Sequence, residues 1–420
     1  MKFNSPEQRR KAVLLSGLYT TQMLGLAFII TALPAILRQS GVGLDKIGWI
    51  FALGLCWSIK FLWAPLIDRF GSKKYGHYRS WIIVLQMLMI IVMIGASFFT
   101  VPGQMAVLAV LFVLLAIFSA TQDIAADGLA VTILEPEERG PGNSIQAAGN
   151  LIGAMIGGGV VLISYQWLGW RGSMLALAAG TALPLISILR YKEQQAPADA
   201  RIEKVDFKDL IRFFYRPRIW RWIPVLSIFR ISNMVAYGLL NPLLVDMGWS
   251  LDHIGFSINI VGSLFGIAGA GLGGWIVSRW GRKTAMLLTM LLTTLATIGL
   301  FVLAEGIDNP VIVYAIIGLI MSAYGGSSAV MYTVIMDKSD PASAGTDFTL
   351  QMSISGIPAF ITIGLAMVLA ESIGYTGVLF ACIGIAILSM VLIWFYDDFE
   401  PAQFFRASHG GDLAPAPKGR

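Results

Sequence analysis

Cysteine occurs only twice in these 420 residues, at Cys56 and Cys382, and histidine three times, at His77, His253 and His409. Two cysteines in separate apolar runs cannot build a disulfide scaffold, and each reads as a small apolar residue. The histidines share no ligand spacing, which argues against a metal site made of side chains. No Walker A, H-E-x-x-H or G-x-S-x-G run is present, so an enzyme is not expected and no cofactor is implied. Charge is scarce as well. Asp, Glu, Lys and Arg make up 13% of the chain, about half the share usual in soluble domains.

What fills the chain instead is apolar: 56% hydrophobic residues and a mean hydropathy of +0.72. A membrane span needs about 20 such residues. Spans are predicted at 13–37, 47–67, 81–99, 105–134, 143–162, 172–190, 222–244, 254–277, 284–304, 310–334, 346–370 and 375–395. The predicted fold is all-α and integral to the membrane, with twelve transmembrane helices in two pseudo-symmetric six-helix bundles. The bundles occupy 13–190 and 222–395. Residues 1–12 form a charged lead-in, too closely followed by a long helix to be a removable signal peptide.

The second half echoes the first. Asp68-Arg69-Phe70-Gly71-Ser72-Lys73-Lys74 follows the second span, and Ser278-Arg279-Trp280-Gly281-Arg282-Lys283 follows the eighth, 210 residues later. Repeated halves around a central cavity are the plan of an alternating-access carrier. Alternate loops collect 25 of the 30 Lys and Arg residues. By the positive-inside rule both termini and the central loop are cytoplasmic. The net charge of +5 then reflects topology and contact with anionic lipid, with no call for nucleic acid. Residues 191–221 form a cytoplasmic linker. Within it, Asp206 to Phe214 reads as an amphipathic helix with Phe207, Leu210, Ile211 and Phe214 on one face, lying on the membrane surface. The tail at 396–420 is rich in Ala, Pro and Gly and is expected to be disordered.

Ionisable groups inside spans cost roughly 2.5–3.5 kcal/mol each at mid-helix, so each needs a partner or a wet cavity. Four stand here: Lys60, Asp123, Asp127 and Arg230. Asp123 and Asp127 share a helix face. Lys60 sits at similar depth, so an ion pair with either carboxylate is reasonable, serving as proton-coupling machinery or as static packing. Arg230, Asn233, Tyr237 and Asn241 recur at intervals of 3, 4 and 4, forming a polar stripe that cannot face lipid. The planar guanidinium suits an oxyanion ligand, the alternative being an inter-helix pair. Tyr19, Gln22, Gln146, Tyr324, Ser328 and Gln351 complete the expected substrate-binding set, a cavity able to stack on flat groups and hydrogen-bond a bulky ligand. Glycines four apart in the fifth and eighth spans allow close helix approach.

The two loops resemble the cytoplasmic signature of the major facilitator superfamily, although Ser278 stands where Asp is usual. That resemblance implies a conformational latch carried by Asp68, Arg69, Gly71, Lys73, Arg279, Gly281 and Arg282. The stretches Ser58 to Arg69 (SIKFLWAPLIDR) and Ala120 to Gly128 (ATQDIAADG) are similar to segments of the AmpG and acetyl-coenzyme A transporter branch. With twelve spans and no more, the chain most resembles the RhtX/FptX siderophore permease group. The resemblance implies a monomeric, proton-coupled importer of a ferric siderophore across the bacterial inner membrane. The alternatives are a muropeptide permease, proton-driven drug or metabolite efflux, or a membrane sensor that transports nothing.

Overall fold

A computed structural model of the chain describes residues 5–40, 55–72, 74–101, 103–193 and 205–399. Among these, nine helices are long and apolar enough to cross a membrane. Two of them, Arg139–Arg190 and His253–Ala304, run for 52 residues each, about 78 Å at 1.5 Å per residue. A hydrocarbon core is only ~30 Å thick, so each must be two spans. The backbone shows where they part: Gly169 (φ 60°) and Gly281 (φ 80°) leave the helical region. Positive φ at these turns suits glycine, which has no Cβ to clash. Eleven spans result: Pro6–Leu37 (span 1), His77–Ala96 (3), Met105–Ile133 (4), 139–168 (5), 170–190 (6), Ile219–Asp246 (7), 253–280 (8), 282–304 (9), Pro310–Asp337 (10), Pro341–Ala370 (11) and Ser372–Phe395 (12). Residues 55–69 are the described part of the expected span 2.

Several boundaries differ from the sequence expectation. Span 1 starts at Pro6 because Ser5 caps it: the Ser5 hydroxyl accepts from Gln8 N at 3.1 Å, and the Gln8 side chain accepts from Ser5 N at 3.3 Å. Residues 6–12 are therefore helix. Span 7 begins at Ile219, not 222. The linker differs in register. Its helix Lys208–Arg212 tightens into a 3-10 turn at Phe213–Tyr215, which repeats every three residues. Phe213 is fully buried, Leu210 and Phe214 are half-buried, and Phe207 and Ile211, expected on the packed face, are exposed. The tail beyond 399 and the stretch 194–204 lie outside the described residues.

Packing within each half relies on bare backbone. A Cβ on Gly157 of span 5 would meet Leu24 O at 2.1 Å, and one on Gly269 of span 8 would meet Ser322 O at 2.1 Å. Only glycine permits that approach. Three buried apolar clusters then define the shape. One holds residues of both halves, among them Leu15, Ile124 and Leu134 with Val277, Met336 and Phe348. A second lies wholly in spans 1 to 6. The third belongs to spans 7 to 12 apart from Leu151. The halves are joined at the end that carries the loops 68–76 and 134–138 and the linker, and have largely separate cores at the other.

Candidate functional site

Span 2 breaks where its charge sits. Lys60 opens a 3-10 turn, Lys60–Leu62, and the helix resumes at Ala64–Arg69 with Pro65 in its first turn, where the missing N–H costs nothing. The break delivers Lys60, 3% exposed, to Asp123 of span 4, 4% exposed, in a buried ion pair. The Trp57 ring lies 4.8 Å from the ammonium. Of the two partners open to Lys60, the structure takes Asp123.

Asp127, one turn further along span 4, is held differently. Its Oδ1 accepts from Tyr19 Oη at 3.1 Å and from Gln146 Nε2 at 2.9 Å. No cation lies within ion-pair distance of it among the described residues. Asp127 therefore ties spans 1, 4 and 5 together through neutral donors. Gln22 Nε2 donates to Asn150 Oδ1 at 3.4 Å, and Ser119 Oγ donates to Gln22 O at 2.7 Å. Tyr19, Gln22 and Gln146 were expected to face a ligand. Each is at most 3% exposed and spends a donor inside the first half, so in this conformation they position Asp127 and Asn150.

The other half presents the stripe on span 7. Arg230 occupies the joint between Ile219–Phe229 and Ile231–Asp246, where the helix loses its regular ladder. The guanidinium is half-buried, with Met234 Sδ 3.9 Å from Nη2 and no carboxylate within 4 Å among the described residues. Below it Tyr237 stacks on Tyr324 of span 10, centroids 5.5 Å apart at 29°. Asn241 is exposed. Val235 and Leu239, on the reverse face, are 1% exposed in the core of the second half. Asn233 departs from the expectation, being 4% exposed. Ser328, 5% exposed, lies one turn from Tyr324.

Gln351 is a correction. It is fully buried, accepting from Trp222 Nε1 at 2.8 Å while Nε2 donates to Ser339 Oγ at 3.3 Å and Asp347 O at 3.2 Å. Its amide is used up in joining the starts of spans 7 and 11, so it does not line a cavity.

The latch residues separate into two groups. Asp68 reaches across the seam to the start of span 11: its carboxylate accepts from Gly345 N at 3.1 Å and Thr346 N at 2.6 Å, and from Tyr78 Oη at 2.7 Å. An anion over free N–H groups at a helix start is stabilised by both the bonds and the helix dipole. Gly71 leaves room for His77, whose Nδ1 would lie 2.2 Å from an added Cβ. Arg282 donates through Nε to Asp337 Oδ2 at 2.9 Å and through Nη2 to Pro136 O at 2.8 Å. Arg69 lies 3.9 Å from Asp206 of the linker, and its side chain is 39% exposed. Arg279 is at the surface, Gly281 forms the 8–9 turn, and Lys73 lies outside the described residues.

Two partners escaped the sequence reading. Asp337, 0% exposed, takes Arg139 Nη1 of the first half at 2.7 Å as well as Arg282. Asp347 takes both Nη atoms of Arg216 from the linker, one at 3.1 Å. A signal for Asp337 was present: it stands 210 residues after Asp127, the same offset that relates Asp68 to Ser278.

Asp68→Asn tests the seam. It keeps the shape and removes the charge, so the closed arrangement should weaken by about 1.5–3 kcal/mol, as for a lost charged hydrogen bond. Spin labels placed across the loop-bearing end should move apart, and transport should fall with ligand affinity retained. An unchanged distance distribution would take Asp68 out of the conformational cycle.

Two helical bundles, clamped at one end by charged contacts, with a half-buried cation and stacked aromatics in the second, define a membrane carrier. The sequence comparison gives the family: residues 15–363 match the Major Facilitator Superfamily profile, and the chain belongs to that superfamily of secondary transporters. It is 25% identical over 391 residues to the anhydromuropeptide permease of Escherichia coli K12, covering 92% of this chain and 79% of that one. Among solved structures it superposes on the human organic anion transporter MFSD10 with a TM-score of 0.75 at 15% identity, covering 93% of this chain and all of that one. The transporter FucP in its outward conformation gives 0.67 at 14% identity, covering 91% and 98%. At such identities these two structures speak for the fold alone.

Proposed function

We propose that the protein imports an anionic cell-wall fragment of the muropeptide class across the bacterial inner membrane, driven by protons. The observation that carries this reading is Arg230: a half-buried guanidinium at the break in span 7, two turns from a tyrosine stack, with no carboxylate beside it among the described residues. A buried fixed cation needs an anion, and a transported carboxylate can supply one. The relative named as an anhydromuropeptide permease favours this ligand over the ferric siderophore expected from chain length.

With the Lys- and Arg-rich loops in the cytoplasm, the clamped end is cytoplasmic. The separate cores then face the periplasm, the loading side for import. Proton coupling falls to Asp127. Asp123 is paired directly with Lys60, which suits it to a structural role, whereas Asp127 accepts its hydrogen bonds from neutral donors and lies beyond ion-pair distance of Lys60, so it can take up a proton without breaking an ion pair.

Uptake of radiolabelled anhydromuropeptide and of a labelled ferric siderophore, in cells stripped of their own permeases, tests the reading. Muropeptide should accumulate and a protonophore should abolish it. Accumulation of the siderophore alone would restore that ligand, and loss of preloaded muropeptide from the cells would reverse the direction. Asp127→Asn should lose accumulation while retaining downhill exchange. Undiminished accumulation by that variant would end the proton role of Asp127.

A further inference from the structure

Among the described residues, the linker presents an unpartnered outer face. Phe207, Ile211, Tyr215 and Trp220 are 48%, 61%, 83% and 68% exposed. Trp220 is the second residue of span 7, and its ring meets Phe214 of the linker at 5.9 Å. The apolar strip is therefore continuous with the membrane-facing start of that span. Exposed Lys208, Arg212, Arg218 and Arg221 border it. Over 205–221 five cationic residues stand against Asp206 and Asp209, a net charge of +3. Aromatic and aliphatic side chains flanked by Lys and Arg at the level of a span end match the chemistry of a bilayer surface carrying anionic headgroups.

The inner face of the same segment reaches the seam. Arg216 grips Asp347 with both Nη atoms, and Asp347, 0% exposed, also accepts from Asp340 N at 2.8 Å. One and two residues before it are the N–H groups of Thr346 and Gly345 that bind Asp68 of the other half. Two carboxylates thus converge on one helix start, and Arg216 is the cation that neutralises one of them. Arg218, two residues on, holds φ 61°, the one positive φ outside glycine among the described residues. Such a conformation persists only where both flanks are held. Here they are held by Arg216 on one side and the start of span 7 on the other.

We propose that the outer face of the linker docks on anionic phospholipid headgroups of the surrounding bilayer, and that this docking keeps Arg216 on Asp347 and the cytoplasmic seam closed. When the linker lifts, the buried Asp347 carboxylate loses its cation and stands beside Asp68. Repulsion between them then releases the start of span 11.

The test uses the purified full chain in nanodiscs of phosphatidylcholine, with or without phosphatidylglycerol, and needs no transported ligand. Its failure is therefore separate from failure of the substrate assignment. In a background lacking both native cysteines, Ile211→Cys carries a fluorophore quenched by headgroup-level doxyl lipid. Tyr75→Cys with Ala342→Cys carries spin labels across the seam. Quenching should be at least about twofold stronger with phosphatidylglycerol, and the closed population should fall several-fold without it. Arg216→Gln should open the seam even in anionic discs, and Arg216→Gln/Asp347→Asn should close it again in both lipids. Equal quenching in the two lipids, lipid-independent distances, or a closed seam in Arg216→Gln would each overturn the proposal. If Arg216→Gln does not fold, the double variant decides: a seam still sensitive to lipid charge would sink the lock.

Discussion

Lys60→Met should be among the most destabilising single changes in the membrane domain, costing about 3–5 kcal/mol. It leaves the Asp123 carboxylate, 4% exposed, without its cation, and an orphaned buried charge costs more than a missing pair. Thermal unfolding in detergent, followed by fluorescence-detected gel filtration, reads the loss directly. Lys60→Met/Asp123→Leu removes both charges and should recover most of the stability. Lys60→Met/Asp127→Leu should not, because Asp127 bonds to Tyr19 and Gln146 and its loss leaves Asp123 still unpaired. Equal rescue by the two double variants would mean that Lys60 is shared between the carboxylates and that the pairing seen here is one of two.

The contrast marks what the sequence could and could not disclose. Helical spacing placed Asp123 and Asp127 on one face, but the facing rotation of span 2 depends on the Lys60–Leu62 break, which hydropathy does not register. The spans were legible because about 20 apolar residues in a row have few other uses. The hairpin turns were marked by glycine, yet nothing in a window average separates Gly169 from the other glycines around it. Polar residues within spans were harder. Gln351 and Tyr237 look alike as cavity candidates, and only the arrival of Trp222 turns the first into the protein. In the linker, helical spacing groups Phe207, Leu210, Ile211 and Phe214, yet the packed side chains are Leu210, Phe213 and Phe214, a choice set by what the segment meets and not by its period.

Asp337 shows a different limit. Its offset from Asp127 was visible, but a carboxylate at a predicted span end reads as an ordinary loop charge until Arg139 and Arg282 close on it from the two halves. The seam depends on contacts 146 to 278 residues apart in sequence, and no local pattern encodes those.

Arg230→Ala should weaken binding of an anionic ligand by about 1.5–3 kcal/mol, the worth of a charge-assisted hydrogen bond, which is roughly 10- to 150-fold in Kd. Arg230→Lys keeps the charge but loses the planar fork, so it should recover only part of that. Equilibrium binding of a labelled muropeptide to purified protein separates this from a folding defect. The same residue predicts a labelling pattern. Cys at Tyr237 or Asn241 should react with a polar thiol reagent and be protected by ligand, because the first side chain is only half-buried and the second is exposed. Cys at Val235 or Leu239, both 1% exposed in the core of the second half, should stay silent, as should Cys at Asn233 in the conformation described. In the proposed reading Arg230 is the fixed charge against which a travelling anion is bound. Full-strength binding by Arg230→Ala, or equal labelling of both faces of span 7, would make the guanidinium a packing group and leave the ligand's charge without a partner in the second half.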